Sequence, residues 1–121
     1  MEIDKEKYKL PSTNYYDFVY DKTQIIIGHN GRKDMRHYQG WKKRNFGNYK
    51  KTSAFTIDRD GKIHQHFNPI HYSDFIGHEQ DKCSISINLV NVGWLKYNEL
   101  SKVYTDWLGH TYSTKNNFTK K

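Results

Sequence analysis

The sequence predicts an α/β fold, a mixed β-sheet with one flanking helix, and three stretches carry that expectation. Residues 23–30 read Thr-Gln-Ile-Ile-Ile-Gly-His-Asn, a short β-branched run of the kind buried on both faces of a parallel sheet. Residues 34–46 repeat apolar positions (Met35, Tyr38, Trp41, Phe46) at helical spacing within a basic background. Residues 53–67 form two alternating runs around Asp60-Gly61, a strong hairpin signal.

Taken in order, residues 1–12 are charged, broken by Pro11, and read as a loose arm. Residues 14–20 are aromatic and fit either an edge strand or a packed loop. Asp21-Lys22 turns the chain into the strand at residues 25–27, which the apolar run places at the centre of the sheet. That strand delivers His29 to its carboxyl end, where ligand sites form in α/β sheets.

Residues 31–51 hold Arg32, Lys33, Arg36, Lys42, Lys43, Arg44, Lys50 and Lys51 against Asp34 alone. The helix at residues 34–46 takes Asp34 as its cap or first-turn acid. Gly40 weakens that helix by about 1 kcal/mol relative to Ala, and Gly47-Asn48 stops it. The strand at 53–57, the turn at 58–61 and the return strand at 62–67 follow, and then a polar loop at 71–82. Residues 84–90 alternate, with Ile85, Ile87 and Leu89 expected toward the core. Residues 91–93 turn the chain. Residues 95–112 are ambiguous: residues 98–108 can be drawn as a helix, but Val103, Tyr104, Thr105, Trp107, Thr111 and Tyr112 are strand formers around Leu108-Gly109 and favour a hairpin. The tail at 114–121 has no apolar run and is expected to fray.

At 121 residues, the chain is expected to make a single small domain. Hydrophobic content is 35% and mean hydropathy is −1.03, offset by 16% aromatic residues that bury large areas each. The formal charge of +7 favours an anionic partner: nucleic acid, wall polymer or lipid headgroup. Basic residues interleaved with Tyr38, Trp41 and Tyr49 suit a phosphate backbone or a wall polymer. No nucleic-acid motif accompanies them, so wall polymer ranks first and nucleic acid second. The lone Cys83 allows no internal disulfide and reads as a small buried residue or a thiolate ligand. Residues 1–7 lack the apolar core of a signal peptide, and no stretch reaches membrane-spanning length. Synthesis in the cytoplasm is the expectation.

Seven histidines are the candidate chemistry. His29 can ligate a metal, act as a base or merely cap a strand. His64 and His66 lie two apart on one strand, so both rings point to one face, as a chelating pair or as partly exposed cross-strand residues. His71 and His78 flank the polar loop, and His110 lies in a turn; each could supply a further ligand. His37 reads as solvent-exposed on the basic helix. Asp58 and Asp60 read as turn formers rather than a catalytic pair.

Three segments, in order, resemble one family. They are Ile25-Ile26-Ile27-Gly28-His29; the hairpin F-x-I-D-x-D-G-x-I at residues 55–63; and S-I-x-I-x-L-V-N-x-G at residues 84–93. Over roughly residues 22–95 the chain resembles the zinc N-acetylmuramoyl-L-alanine amidases of phage endolysin and peptidoglycan-recognition type. The resemblance implies an amidase-like mixed sheet, a zinc cofactor with His29 as first ligand, and hydrolysis of the amide between muramic acid and the first stem-peptide alanine. His71, Tyr72 and Asn91 would line the substrate groove, and Arg32 and Lys33 look like the basic stretch of a phage subgroup. The family's other two zinc ligands follow a long helix and find no counterpart, and its catalytic Tyr or Glu maps to Ser53, which cannot act as a base. A fold incomplete at its carboxyl end is therefore expected, its site completed by a later part or a second chain. Apolar surface left uncovered would then favour self-association or a partner chain. Such a protein would act on the cell wall after release or as a virion component. The alternatives are a catalytically incomplete module binding muropeptide or another anion, and a basic nucleic-acid-binding phage protein.

Overall fold

The computed structural model describes residues 2–92, 95–105 and 109–112. Its contacts divide the chain into two units, Met1–Asn91 and Val92–Lys121.

The first unit holds β1 (Ile3–Asp4), β2 (Gln24–His29), helix α1 (His37–Lys43), β3 (Phe55–Ile57), β4 (Ile63–Gln65) and β5 (Ser84–Leu89). The five strands form one sheet in the order β1-β4-β3-β5-β2. β5 lies parallel to both β2 and β3, β3 and β4 form the antiparallel hairpin, and β1 runs parallel to β4. The α/β class, mixed sheet and single α-helix among the described residues match the expectation. In the second unit β6 (Lys96–Asn98), β7 (Val103–Thr105) and β8 (Thr111–Tyr112) make an antiparallel sheet, so the strand reading of residues 95–112 holds where they are described. Asn98 Oδ1 accepts from the Leu100 and Ser101 amides, tightening the turn between β6 and β7. The turn glycine at 93 and the tail at 114–121 lie outside the described residues.

Four expectations are corrected. The run at 25–27 is not central and not buried on both faces: β2 is the sheet's edge, with Ile25 60% and Ile27 64% exposed. The second correction is the orientation of the sheet. Ile85, Ile87 and Leu89 are only half-buried, whereas Ser84, Ser86 and Asn88 between them are buried. The buried face of the sheet is thus its polar one, continued by Thr56 and His64 across the register. Aromatic rings explain how this face packs. Leu10, Tyr38, Trp41, Ala54 and Phe67 form the core cluster, with Tyr8, Tyr15 and Tyr49 against it. Aromatic rings supply the apolar volume that the sheet residues beneath them lack.

Third, residues 1–12 are no loose arm. Ile3 and Asp4 pair with Ile63 and His64, the Leu10 amide donates to the His66 carbonyl at 2.8 Å, and Leu10 is among the most buried residues. Fourth, the helix is shorter than residues 34–46. Asp34 instead forms a turn ahead of it, its Oδ1 accepting from the Arg36 amide at 3.0 Å and its carboxylate pairing with the Arg36 guanidinium. Asn45 (φ 52°) and Phe46 (φ 54°) adopt left-handed backbone and stop the helix. Asn tolerates that conformation, but for Phe it costs about 1–2 kcal/mol. Met35, Tyr38 and Trp41 are buried as their spacing predicts, while Phe46 points into solvent. Residues 14–20 form a loop rather than a strand, packed at Asn14, Tyr15 and Tyr16, where Tyr16 bridges to Tyr72, and exposed from Asp17 to Tyr20.

Candidate functional site

Because β2, β5 and β3 run parallel, their carboxyl ends meet along one edge of the sheet. His29 ends β2, Asn91 follows β5 and Asp58 follows β3. The chain leaving β2 turns through Gly31, at φ 66°, and returns as α1 across the buried polar face.

Asn30 organises this edge. Its Oδ1 accepts from the Arg32 amide at 3.0 Å and the Asn91 amide at 3.1 Å, which identifies that atom as the oxygen. Its Nδ2 therefore donates, to the Asp34 carbonyl and to His37 Nδ1, both at 2.9 Å. One side chain thus joins the β2 terminus, the basic loop, the helix and the end of β5. No sequence reading singled it out, since an Asn after an apolar strand looks like an ordinary turn former.

From Asn30 the hydrogen bonds continue inward, and the tautomers follow by elimination. His66 Nδ1 lies 2.7 Å from the Tyr8 carbonyl, an acceptor only, so Nδ1 carries the proton. Its Nε2 then accepts from the Thr56 hydroxyl at 2.6 Å. Having spent its proton, Thr56 Oγ1 accepts from His37 Nε2 at 3.4 Å, which leaves His37 Nδ1 to accept from Asn30. Both rings are neutral in this chain, and burial holds both well below an ordinary imidazole, at about 4. His37 is thus not exposed on the helix; its ring meets Trp41 edge-on at 4.6 Å. Neither are His64 and His66 surface residues, at 4% and 0% exposure. His64 Nδ1 sits 3.7 Å from Asp4 and its Nε2 3.9 Å from Asp58, beyond hydrogen-bonding distance, and Nδ1 has no hydrogen-bond partner among the described residues. Asn88, opposite Thr56, likewise buries an unpartnered Oδ1. This polar layer fixes positions; rings of so low a basicity are poor proton acceptors near neutral pH.

The predicted site residues separate. His29, Arg32, Lys33 and Asn91 stand at the carboxyl edge. His71 and Tyr72 follow β4, which runs the other way, and lie beside the chain entering β2. His71 stacks on Tyr15 at 5.5 Å, with its ring nitrogens 3.2 Å from the Phe18 carbonyl and 3.2 Å from Asp17 Oδ1. Tyr72 stacks on Tyr16 at 4.7 Å. His78 caps the short 3₁₀ turn Glu79–Asp81, accepting from the Gln80 amide at 3.4 Å while Asp81 accepts from the His78 amide. Cys83 is half-buried, its thiol 3.5 Å from the Gln80 carbonyl. His110 belongs to the second unit.

A catalytic zinc needs three protein ligands and an open position. Among the described residues no group of three His, Cys, Asp or Glu side chains comes together. His29 is also turned the wrong way for ligation through its outer nitrogen. Its Nδ1 accepts from the Gly31 amide at 3.2 Å, so in the neutral ring Nε2 carries the proton and presents a donor. The described residues therefore do not fit a zinc centre. Comparisons of the chain with protein-family models, with characterised proteins and with solved structures gave no match.

Proposed function

We propose that this chain is a peptidoglycan-directed domain of the N-acetylmuramoyl-L-alanine amidase type, binding the muramic acid–stem peptide junction along the carboxyl edge of its sheet. One observation supports the reading above all. The three segments that resemble the amidases are adjacent strands of one sheet, β2 beside β5 beside the β3–β4 hairpin, so their residues share an edge. There the Asn30 hydrogen bonds hold the basic loop in one arrangement, and Arg32 and Lys33 supply cations for the muropeptide's carboxylates. His29 Nε2 would donate to a lactyl or peptide carbonyl.

Binding without cleavage is the mode that the described residues favour, because they do not gather a hydrolytic metal site. Amide hydrolysis would require ligands from the remainder of the chain or from a partner, together with a ring flip at His29. Calorimetry with N-acetylmuramoyl-peptide, with and without a chelator, tests the proposal. The expected result is chelator-insensitive binding, weakened on the order of tenfold by Arg32→Ala with Lys33→Ala. Failure to bind any wall fragment overturns the assignment. Zinc-dependent release of stem peptide from purified peptidoglycan would instead establish the hydrolase.

A further inference from the structure

A different part of the surface carries its own signal, independent of the amidase-type reading. The helix α1 ends in Lys42 and Lys43, the chain continues through Arg44, and Phe46 then stands 99% exposed at the tip of the turn. Aromatic rings are scattered on many surfaces, but this one is held out by backbone that a Phe resists. The turn is fixed rather than slack. The Arg44 amide donates to the Gly40 carbonyl, the Asn48 amide donates to the Asn45 carbonyl at 3.0 Å, and Gly47 takes φ 85°. The ring that this backbone displays gains no burial against the described residues, so its own packing does not offset the strain.

Charge narrows the partner. Between Met35 and Ile57 the chain has no acidic residue and six Lys or Arg: Arg36, Lys42, Lys43, Arg44, Lys50 and Lys51. Lys42, Lys43, Arg44 and Lys51 are exposed. A single-stranded nucleic acid would need further rings on which successive bases stack. Tyr38 and Trp41 are buried, and Tyr49 packs on the core and carries the Arg44 guanidinium 5.4 Å from its ring centre. A convex, basic, aromatic-tipped turn matches a flat anionic surface with an apolar layer beneath it.

We propose that the turn at residues 44–48 is a contact for an anionic lipid bilayer. Phe46 enters the boundary between headgroups and acyl chains, and Lys42, Lys43 and Arg44 meet the negative headgroups.

Co-sedimentation of the full chain with vesicles of phosphatidylglycerol and phosphatidylcholine, against vesicles of phosphatidylcholine alone, tests this. The expected result is binding to the anionic vesicles only, falling as salt rises. Phe46→Ala should weaken it on the order of fivefold, and Lys42→Gln with Lys43→Gln on the order of tenfold. Phe46→Gly serves as the folding control: it relieves the left-handed strain, so the melting temperature holds or rises while vesicle binding falls. Equal binding by wild type and Phe46→Ala overturns the proposal. So does Phe46-dependent retention of a single-stranded oligonucleotide without vesicle binding, which would assign the turn to nucleic acid.

Discussion

A single methyl group is enough to test how the carboxyl edge is held. Gly28 lies one residue before His29, on the face of β2 that the register places with Asn88 and Ser86. A Cβ there would come within 2.8 Å of Phe75 Cζ, inside the contact limit of real side chains. Gly28 therefore lets Phe75, from the loop after β4, close over the strand. Gly28→Ala should destabilise the protein by about 1–3 kcal/mol through overpacking. In the Phe75→Leu background the same change should cost less than half as much, because the clashing ring is gone. Urea melts of the four proteins in a double-mutant cycle measure that coupling; an additive result would show that Phe75 does not make the contact. The sequence marks this glycine only as the boundary of an apolar run. It says nothing of a ring 47 residues later in the chain that needs the space.

At the scale of elements, the sheet inverts the usual rule that the apolar alternation faces the core. Ser86 Oγ accepts from the Ala54 amide at 2.9 Å, joining the buried face of β5 to the start of β3. Ile27, on β2, is 64% exposed. Ser86→Val should therefore cost about 1–3 kcal/mol, because it strands a buried amide donor. Ile27→Lys should stay within about 0.5 kcal/mol of wild type. Hydrophobicity alone predicts the opposite order, so denaturant midpoints for the two variants decide between the readings. The strands themselves were legible: alternation and Asp60-Gly61 give β3, β4 and β5 to within two residues at each end. Their facing was not, since alternation specifies two faces and the aromatic cover that chooses between them comes from residues 8–15, the helix and the chain around Phe67. Helical spacing likewise located Tyr38 and Trp41 in the core but could not foresee that Asn45 and Phe46 would leave the helix by left-handed turns. At the candidate site, His29 was placed at a strand end by its apolar run. Asn30, which does the joining, has no signature in sequence because its four partners lie at 32, 34, 37 and 91.

For the whole molecule, the buried polar layer sets how stability responds to acid. His37 and His66 have pKa values of about 4 in the folded protein against 6.5 for an ordinary imidazole, chiefly because burial disfavours the charged ring. The fold thus prefers both rings neutral. Their contribution is fully present above pH 6.5, where folded and unfolded chains alike are unprotonated. It is lost as pH falls from 6.5 to about 4, where only the unfolded chain takes up the protons. Each ring can forfeit on the order of 2–3 kcal/mol over that range. Protonation also breaks the geometry: His66 Nε2 could no longer accept from Thr56, nor His37 Nδ1 from Asn30, so the acid would loosen the loop that carries Arg32 and Lys33. Carboxylates act later. Backbone amides hold Asp4, and the Arg36 guanidinium holds Asp34, below the ordinary carboxylate range, so their contributions fade only below the usual value of 3.8. Urea midpoints measured at pH 7.5, 6.5, 5.5 and 4.5 should hold between the first two and then fall at each step. Thr56→Val, which removes the hydroxyl between the rings, should lower the midpoint at neutral pH while leaving the same downward trend, because burial rather than the hydroxyl depresses both rings. A midpoint that stays level from pH 6.5 to 4.5 would mean that the histidines are hydrated in solution and that the layer is not sealed.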